Sequence, residues 1–241
     1  MKTDVYGTSL FVYENNLLIH NLAECNNMKH SLAVLDLDGI IKEKHLIIPE
    51  RNPDFNYIVR NNFMKKDSKV RFFTSFNYTV FSYSKKGFKP LYYFDFLSNN
   101  SPENYISTLN SQQDFRNYIT NSNYVHSIIT FLELGDWVYI KFVLKQKTYS
   151  VYYNTNTREI RKYIHNNLHD LFVQITPQNV QQKEFINVFY PHYKLSGGIN
   201  YEFRLKYSKG KIDSSLISEF KKLLAMKVNE NPVIIFTKPK H

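Results

Sequence analysis

The run His165-Asn166-Asn167-Leu168-His169-Asp170 is the densest polar cluster in the chain. Two imidazoles and a carboxylate are the kind of set that holds a divalent metal. His165 and His169 are also four apart, the spacing of one helix face. The flanking sequence is of strand type, however, where helical spacing means little. The segment therefore reads first as a polar loop joining strands. His165, Asn167, His169 and Asp170 stand as candidate ligand-binding residues, with no metal and no cofactor assigned to them.

A second pair, Asp36 and Asp38, leads directly into Gly39. A calcium loop needs six to eight oxygens, and an Asp-Gly step is first of all a hairpin signal, so the turn is preferred. Other chemistries leave no trace. There is no Gly-x-Ser-x-Gly elbow, and the two glycines of "LSGGIN" read as a turn and not as a phosphate loop. Carboxylate pairs for glycoside chemistry meet in space and seldom in sequence, so spacing cannot identify them. Cys25 is the only cysteine, which excludes an internal disulfide and a cysteine-based metal cluster. No catalytic residue is assigned.

These residues must be carried by a fold rich in strands. The 241 residues are 43% hydrophobic and 16% aromatic, mostly Tyr and Phe, with only 7 glycines, a globular composition with strand preference. The formal charge of +10 raises nucleic acid or an anionic surface as a partner. The lysines are spread among Asn, Tyr and Ile without a basic stripe, so nucleic acid is not favoured. The N-terminus "MKTDVYGTSLFVYENN" lacks an apolar signal core, and no stretch approaches the ~20 apolar residues of a membrane helix. The expectation is a soluble chain without an export signal of its own.

Strand pairs recur along the chain. Residues 8–20 turn at Glu14-Asn15-Asn16, and "SLAVLDLDGIIKEKHLII" turns at Asp38-Gly39. "NYIVRNNFMKK", "KVRFFTSF" and a hairpin at Lys85-Lys86-Gly87 make a second group, and residues 124–165 a third. Each group has about four strands in roughly 40 to 45 residues, the period of a β-propeller blade. Two helical passages interrupt the pattern, one opening at Ser101-Pro102-Glu103 over 102–121 and one over 213–228, capped by Asp213 or Ser214. The last strand, Val233 to Phe236, then needs a sheet built from earlier sequence.

Four segments resemble a bacterial family of six-bladed β-propellers, NHL-like in kind. "LAVLDLDGII" is similar to a hairpin after Asp-x-Asp-Gly, with Asp36, Asp38 and Gly39 in place. In "TVFSYSKKGFKPLYYFDFLSNNSPE", Thr79, Tyr83, Pro90, Asp95, Phe96, Pro102 and Glu103 match, while Leu97 stands where the family has glycine. "NLHDLFVQITP" keeps Asn167, Asp170 and Pro177, but Leu168 and the pair Leu171-Phe172 depart from the pattern. "NENPVIIFTKPK" keeps Asn231, Pro232, Val233 and Lys238.

The resemblance implies an all-β fold, a partial propeller of about four antiparallel meanders at 5–50, 55–97, 123–165 and 170–241, within one domain. Family members are longer, so the N-terminal blades are expected to be missing. The last strand would then pair on one side only, leaving an edge open to self-association, unless the sequence is a fragment. The implied function is a non-catalytic binding module with an unknown ligand or protein partner, in relatives exported to the cell envelope or periplasm. The alternatives are a lyase or hydrolase working at a central channel and, third, nucleic-acid binding through the basic surface.

Overall fold

The computed structural model describes residues 7–21, 29–48, 55, 62–165, 179–181, 184–189 and 233–237. Within them the chain is built by short-range steps, in which an apolar run, a tight turn and a second run pair back on one another. β1 (Ser9–Tyr13) and β2 (Asn16–His20) meet through Glu14, whose φ of 52° turns the chain. β3 (His30–Asp36) and β4 (Ile41–Ile47) complete an antiparallel sheet in sequential order. The second sheet is β5 (Phe63–Lys66), β6 (Lys69–Phe72), β7 (Thr79–Ser84) and β8 (Gly87–Tyr93). The third is β9 (Ile128–Leu134), β10 (Trp137–Leu144), β11 (Lys147–Asn154) and β12 (Ile160–His165).

The described remainder forms a three-stranded sheet of β13 (Asn179–Gln181), β14 (Glu184–Phe189) and β15 (Val233–Thr237). β15 runs antiparallel to β14, with Val233 opposite Phe189 and Thr237 opposite Phe185. The late strand thus finds its sheet in the C-terminal part of the chain, and among the described residues no strand lies on its other side. The expected helix at 213–228 lies outside the described residues.

In the first two sheets, burial falls from the third strand to the last. Ser31 to Leu35 of β3 and Val80 to Tyr83 of β7 are all buried, whereas β4 and β8 on the outside are largely exposed. Pro90 fits this scheme, because a residue without an N–H is tolerated on an edge strand. It sits on β8 opposite Phe81, beside a register shift between Val80 and Phe81. Leu18, Leu32 and Val34 of the first sheet pack with Val70, Phe72 and Phe81 of the second. Phe72 is fully buried there, and its truncation to alanine is expected to cost about 3–5 kcal/mol.

The contacts divide the chain into two compact units, residues 1–131 with 140–146 and residues 132–139 with 147–241. In the first unit, the stretch between the second and third sheets departs from strand structure. After 3-10 turns at Leu97–Asn99 and Tyr105–Thr108 comes the one described α-helix, α1 (Gln112–Asn121). The helix begins ten residues beyond Pro102, because Ser111 is its true cap: the Ser111 hydroxyl accepts from the Asp114 N–H at 3.1 Å and donates to Asp114 Oδ2 at 2.6 Å. Pro102 instead opens a turn closed by the Tyr105 N–H on its carbonyl at 3.1 Å. Phe115 and Tyr118, three apart on α1, bury against Phe55 and Ile106, and the Phe115 ring stacks on Phe55 with centroids 5.0 Å apart.

Candidate functional site

Of the polar cluster singled out in sequence, His165 is the last residue of β12, in register with Thr148. Asn167, His169 and Asp170 lie outside the described residues. The Asp36 carboxylate is taken up by its own turn. Its Oδ1 accepts from the backbone N–H groups of Asp38 at 3.1 Å and Ile40 at 2.9 Å, and Gly39 supplies a φ of 88° that costs other residues strain. These oxygens hold the β3–β4 hairpin together, as the Asp-Gly signal indicates.

Inside the first unit, His20 at the end of β2 is fully buried and bridges two hydroxyls. Its Nδ1 is 3.0 Å from Thr8 Oγ1 and its Nε2 is 2.9 Å from Thr74 Oγ1. Burial penalises the imidazolium and pulls the pKa down to about 4, with a hydrogen bond to Asn62 working the other way. The ring is therefore neutral at pH 7, donating through one nitrogen and accepting through the other. Nearby, Asn62 Nδ2 donates to the Phe73 carbonyl at 2.8 Å. His126 is likewise buried, and desolvation lowers its pKa to about 4. The His20 ring, enclosed in this way, ties the end of β2 to the segment after β6 and meets no solute.

The excursion between the second and third sheets is built differently. Its two ends meet at Tyr78, whose hydroxyl accepts from the Ser101 N–H at 2.6 Å and donates to the Val125 carbonyl. Val125 N–H donates to the Asn99 carbonyl at 2.8 Å, and Asn100 pairs with Val125 in a parallel bridge. Asp95 braces the entry by accepting from the Leu97 N–H and from Asn100 Nδ2, both at 2.7 Å. Burial raises the pKa of the Tyr78 phenol, so it remains an un-ionised double hydrogen-bonder.

On this closed base, the 3-10 turn at Tyr105–Thr108 and α1 enclose an open groove of about 520 Å³. That lies within the ~300–1,000 Å³ typical of small-molecule sites. Tyr105 lines it, with its ring centroid 5.1 Å from Tyr118 and 5.6 Å from Tyr124. Asn110, Asp114, Asn117 and Asn121 supply polar lining. Three of these are at i, i+3 and i+7 on α1, which places them in one stripe along the helix. None was singled out from sequence. The signal available there was the polar stripe itself, which is hard to distinguish from an ordinary solvated helix face.

Comparison with known proteins bears on the fold. No curated protein matches the chain. Among solved structures, the chain is similar to a protein of Bacteroides fragilis NCTC 9343 whose printed name is "Putative exported protein", with a TM-score of 0.70 and 14% identity. The likeness covers 98% of this chain and 66% of that one, so the chain spans just under two thirds of its neighbour's length. At this identity the likeness speaks for the fold alone. A family model described as a 6-bladed beta-propeller matches residues 1–187, a span that takes in the first three sheets and ends within β14. The chain accordingly belongs to this six-bladed β-propeller family, DUF5128, a domain family of unknown function.

Proposed function

We propose that the chain is a non-catalytic binding module, in which the sheets serve as a rigid frame and the excursion at residues 101–125 presents the recognition surface. One observation carries this reading. Buried ionisable groups such as His20 are spent on holding strands together, whereas the groove on α1 is lined by exposed amides and a tyrosine supported from behind. A site of this composition can hold and orient a small polar molecule. The hydroxyl–carboxylate pair beside it, Ser111 with Asp114, is engaged in capping α1, which favours holding a solute over the nucleophile–base pairing of covalent catalysis. By analogy with the neighbour's name, the module is proposed to act after export, at the cell envelope or outside it.

Ligand-observed NMR with the 241-residue protein against a mixed set of short peptides, nucleotides and oligosaccharides tests this reading. Mass analysis of the same mixtures after incubation is the second readout. Binding of an unaltered solute that weakens in the Asn117→Ala variant is expected. Conversion of any solute would instead establish the lyase or hydrolase alternative. Binding confined to nucleotides and polyanions, and collapsing as salt rises, would establish the basic surface as the working one.

A further inference from the structure

We infer that the α1 groove is a subsite for a neutral saccharide, an assignment that rests on the binding reading above and names its ligand class. Hydrogen-bond bookkeeping around the groove carries it. Asn117 Oδ1 is taken by Gln113 Nε2 at 3.1 Å, and Asn121 Oδ1 by Gln146 Nε2 at 2.9 Å. In each case the carbonyl is engaged and the NH2 group is the part left to donate. Asp114 commits one oxygen, Oδ2, to the Ser111 hydroxyl at 2.6 Å, and its second oxygen remains an acceptor. The lining therefore includes two amides whose carbonyls are engaged and whose NH2 groups remain as donors, together with a carboxylate oxygen and the Asn110 amide.

A sugar hydroxyl both donates and accepts, so it can take a hydrogen from an asparagine NH2 and give one to the aspartate. Tyr105, braced by Tyr118 and Tyr124, adds a flat apolar face against which the C–H side of a pyranose ring can lie. That combination of one aromatic plate with planar polar groups around it matches a polyhydroxylated ring. Charge narrows the class further. The described lining holds one carboxylate and no Lys or Arg, despite a chain charge of +10. A phosphate, sulfate or uronic acid would meet repulsion there without a compensating cation. An extended peptide would want a free strand edge or apolar side-chain pockets, and Leu109 is the only aliphatic side chain in the described lining.

The test is an array of neutral and acidic oligosaccharides probed with the 241-residue protein, followed by calorimetry on the strongest neutral hit at low and high salt. The assignment expects a neutral oligosaccharide whose affinity is indifferent to salt. It should fall about tenfold or more in Asn117→Ala/Asn121→Ala and in Tyr105→Ala, while Tyr105→Phe keeps most of it. Circular dichroism and melting temperature of the double variant, expected to stay near those of the parent, separate lost contacts from lost folding. Silence across the neutral arm up to about 10 mM, or hits that are all acidic and salt-sensitive, would overturn the assignment. Glycan binding that survives both the double variant and Tyr105→Ala would sink the subsite and leave the binding reading standing. Cleavage of a groove-bound neutral glycan would uphold the saccharide class and sink the non-catalytic reading.

Discussion

The β3–β4 turn and the α1 groove draw on the same few side chains and commit them in opposite directions. At the turn, Asp36 gives one oxygen to two backbone N–H groups of its own loop. Asn154 does the same at the β11–β12 turn, its Oδ1 accepting from Asn156 at 3.0 Å and Thr157 at 2.9 Å. The other Asp36 oxygen faces Lys42 Nζ of the same hairpin at 3.9 Å, so that carboxylate is spent within its own loop. On α1, the side chains are orienting one another, Gln113 with Asn117 and Gln146 with Asn121, and each pair leaves an asparagine NH2 group to donate. Residue type therefore says little about whether a polar group is structural or available. What decides is whether backbone donors of the same loop lie within reach of it.

Four measurements would break or sharpen this contrast. The largest effect belongs to the closed side. His20 and His126 have folded pKa values of about 4, below the unfolded value of 6.5, so the unfolded chain binds more protons between these limits. The stability they contribute is complete above about pH 6.5 and is lost as pH falls toward 4, roughly 3 kcal/mol for each ring. Urea unfolding at several pH values should show this fall. In His20→Gln, which keeps a polar group between Thr8 and Thr74, the slope should flatten by about half, and an unchanged slope would remove His20 from the account.

Next comes Tyr78→Phe. It leaves the Ser101 N–H and the Val125 carbonyl without their shared partner, at a cost of about 1–3 kcal/mol. Hydrogen exchange should quicken across residues 101–125 while the β2–β3 ladder stays protected. Uniform quickening across both regions would mean that the excursion is not a separate unit of stability. A matched pair tests the contrast itself. Asp36→Ala should cost about 1 kcal/mol through the lost turn bonds, whereas Asn117→Ala should change stability by no more than about 0.5 kcal/mol. Equal costs in thermal unfolding would erase the distinction drawn between the two regions.

The smallest effect is at Leu97, which holds a φ of 54° with its side chain 76% exposed. A left-handed conformation costs a non-glycine residue about 1–2 kcal/mol, and glycine gives back part of this through its freer unfolded state. Leu97→Gly should therefore stabilise the chain by about 0.5 kcal/mol, read as a slight rise in denaturant midpoint. A drop would show that the leucine makes packing contacts worth more than the strain.

The sheets were legible in sequence because their signals are local. Asp-Gly at 38–39 and Lys-Lys-Gly at 85–87 punctuate apolar runs, and each hairpin can be read from some twenty residues. Leu97 is legible as well: it stands where the resembling family has glycine, and its backbone has the conformation that glycine tolerates best. Helix α1 was read too early, since Pro102 is a strong start signal, while the Ser111–Asp114 cap lies inside a polar stretch with several capping candidates. The groove was not legible. Its availability depends on which amide oxygens are already occupied, and Gln146 reaches Asn121 from the β10–β11 turn, 25 residues away in the chain. No local pattern carries that information.

One feature bears on how such a chain can change over time. Because the two ends of the excursion are tied to one another at Tyr78 and through the Asn99–Val125 contacts, changes in the residues between them are expected to leave the registers of the second and third sheets in place. If the excursion is the recognition surface, as proposed, recognition and architecture would be inherited separately. A new specificity can arise by replacing one loop on an unchanged stem, and the same stem is a natural graft point for a designer.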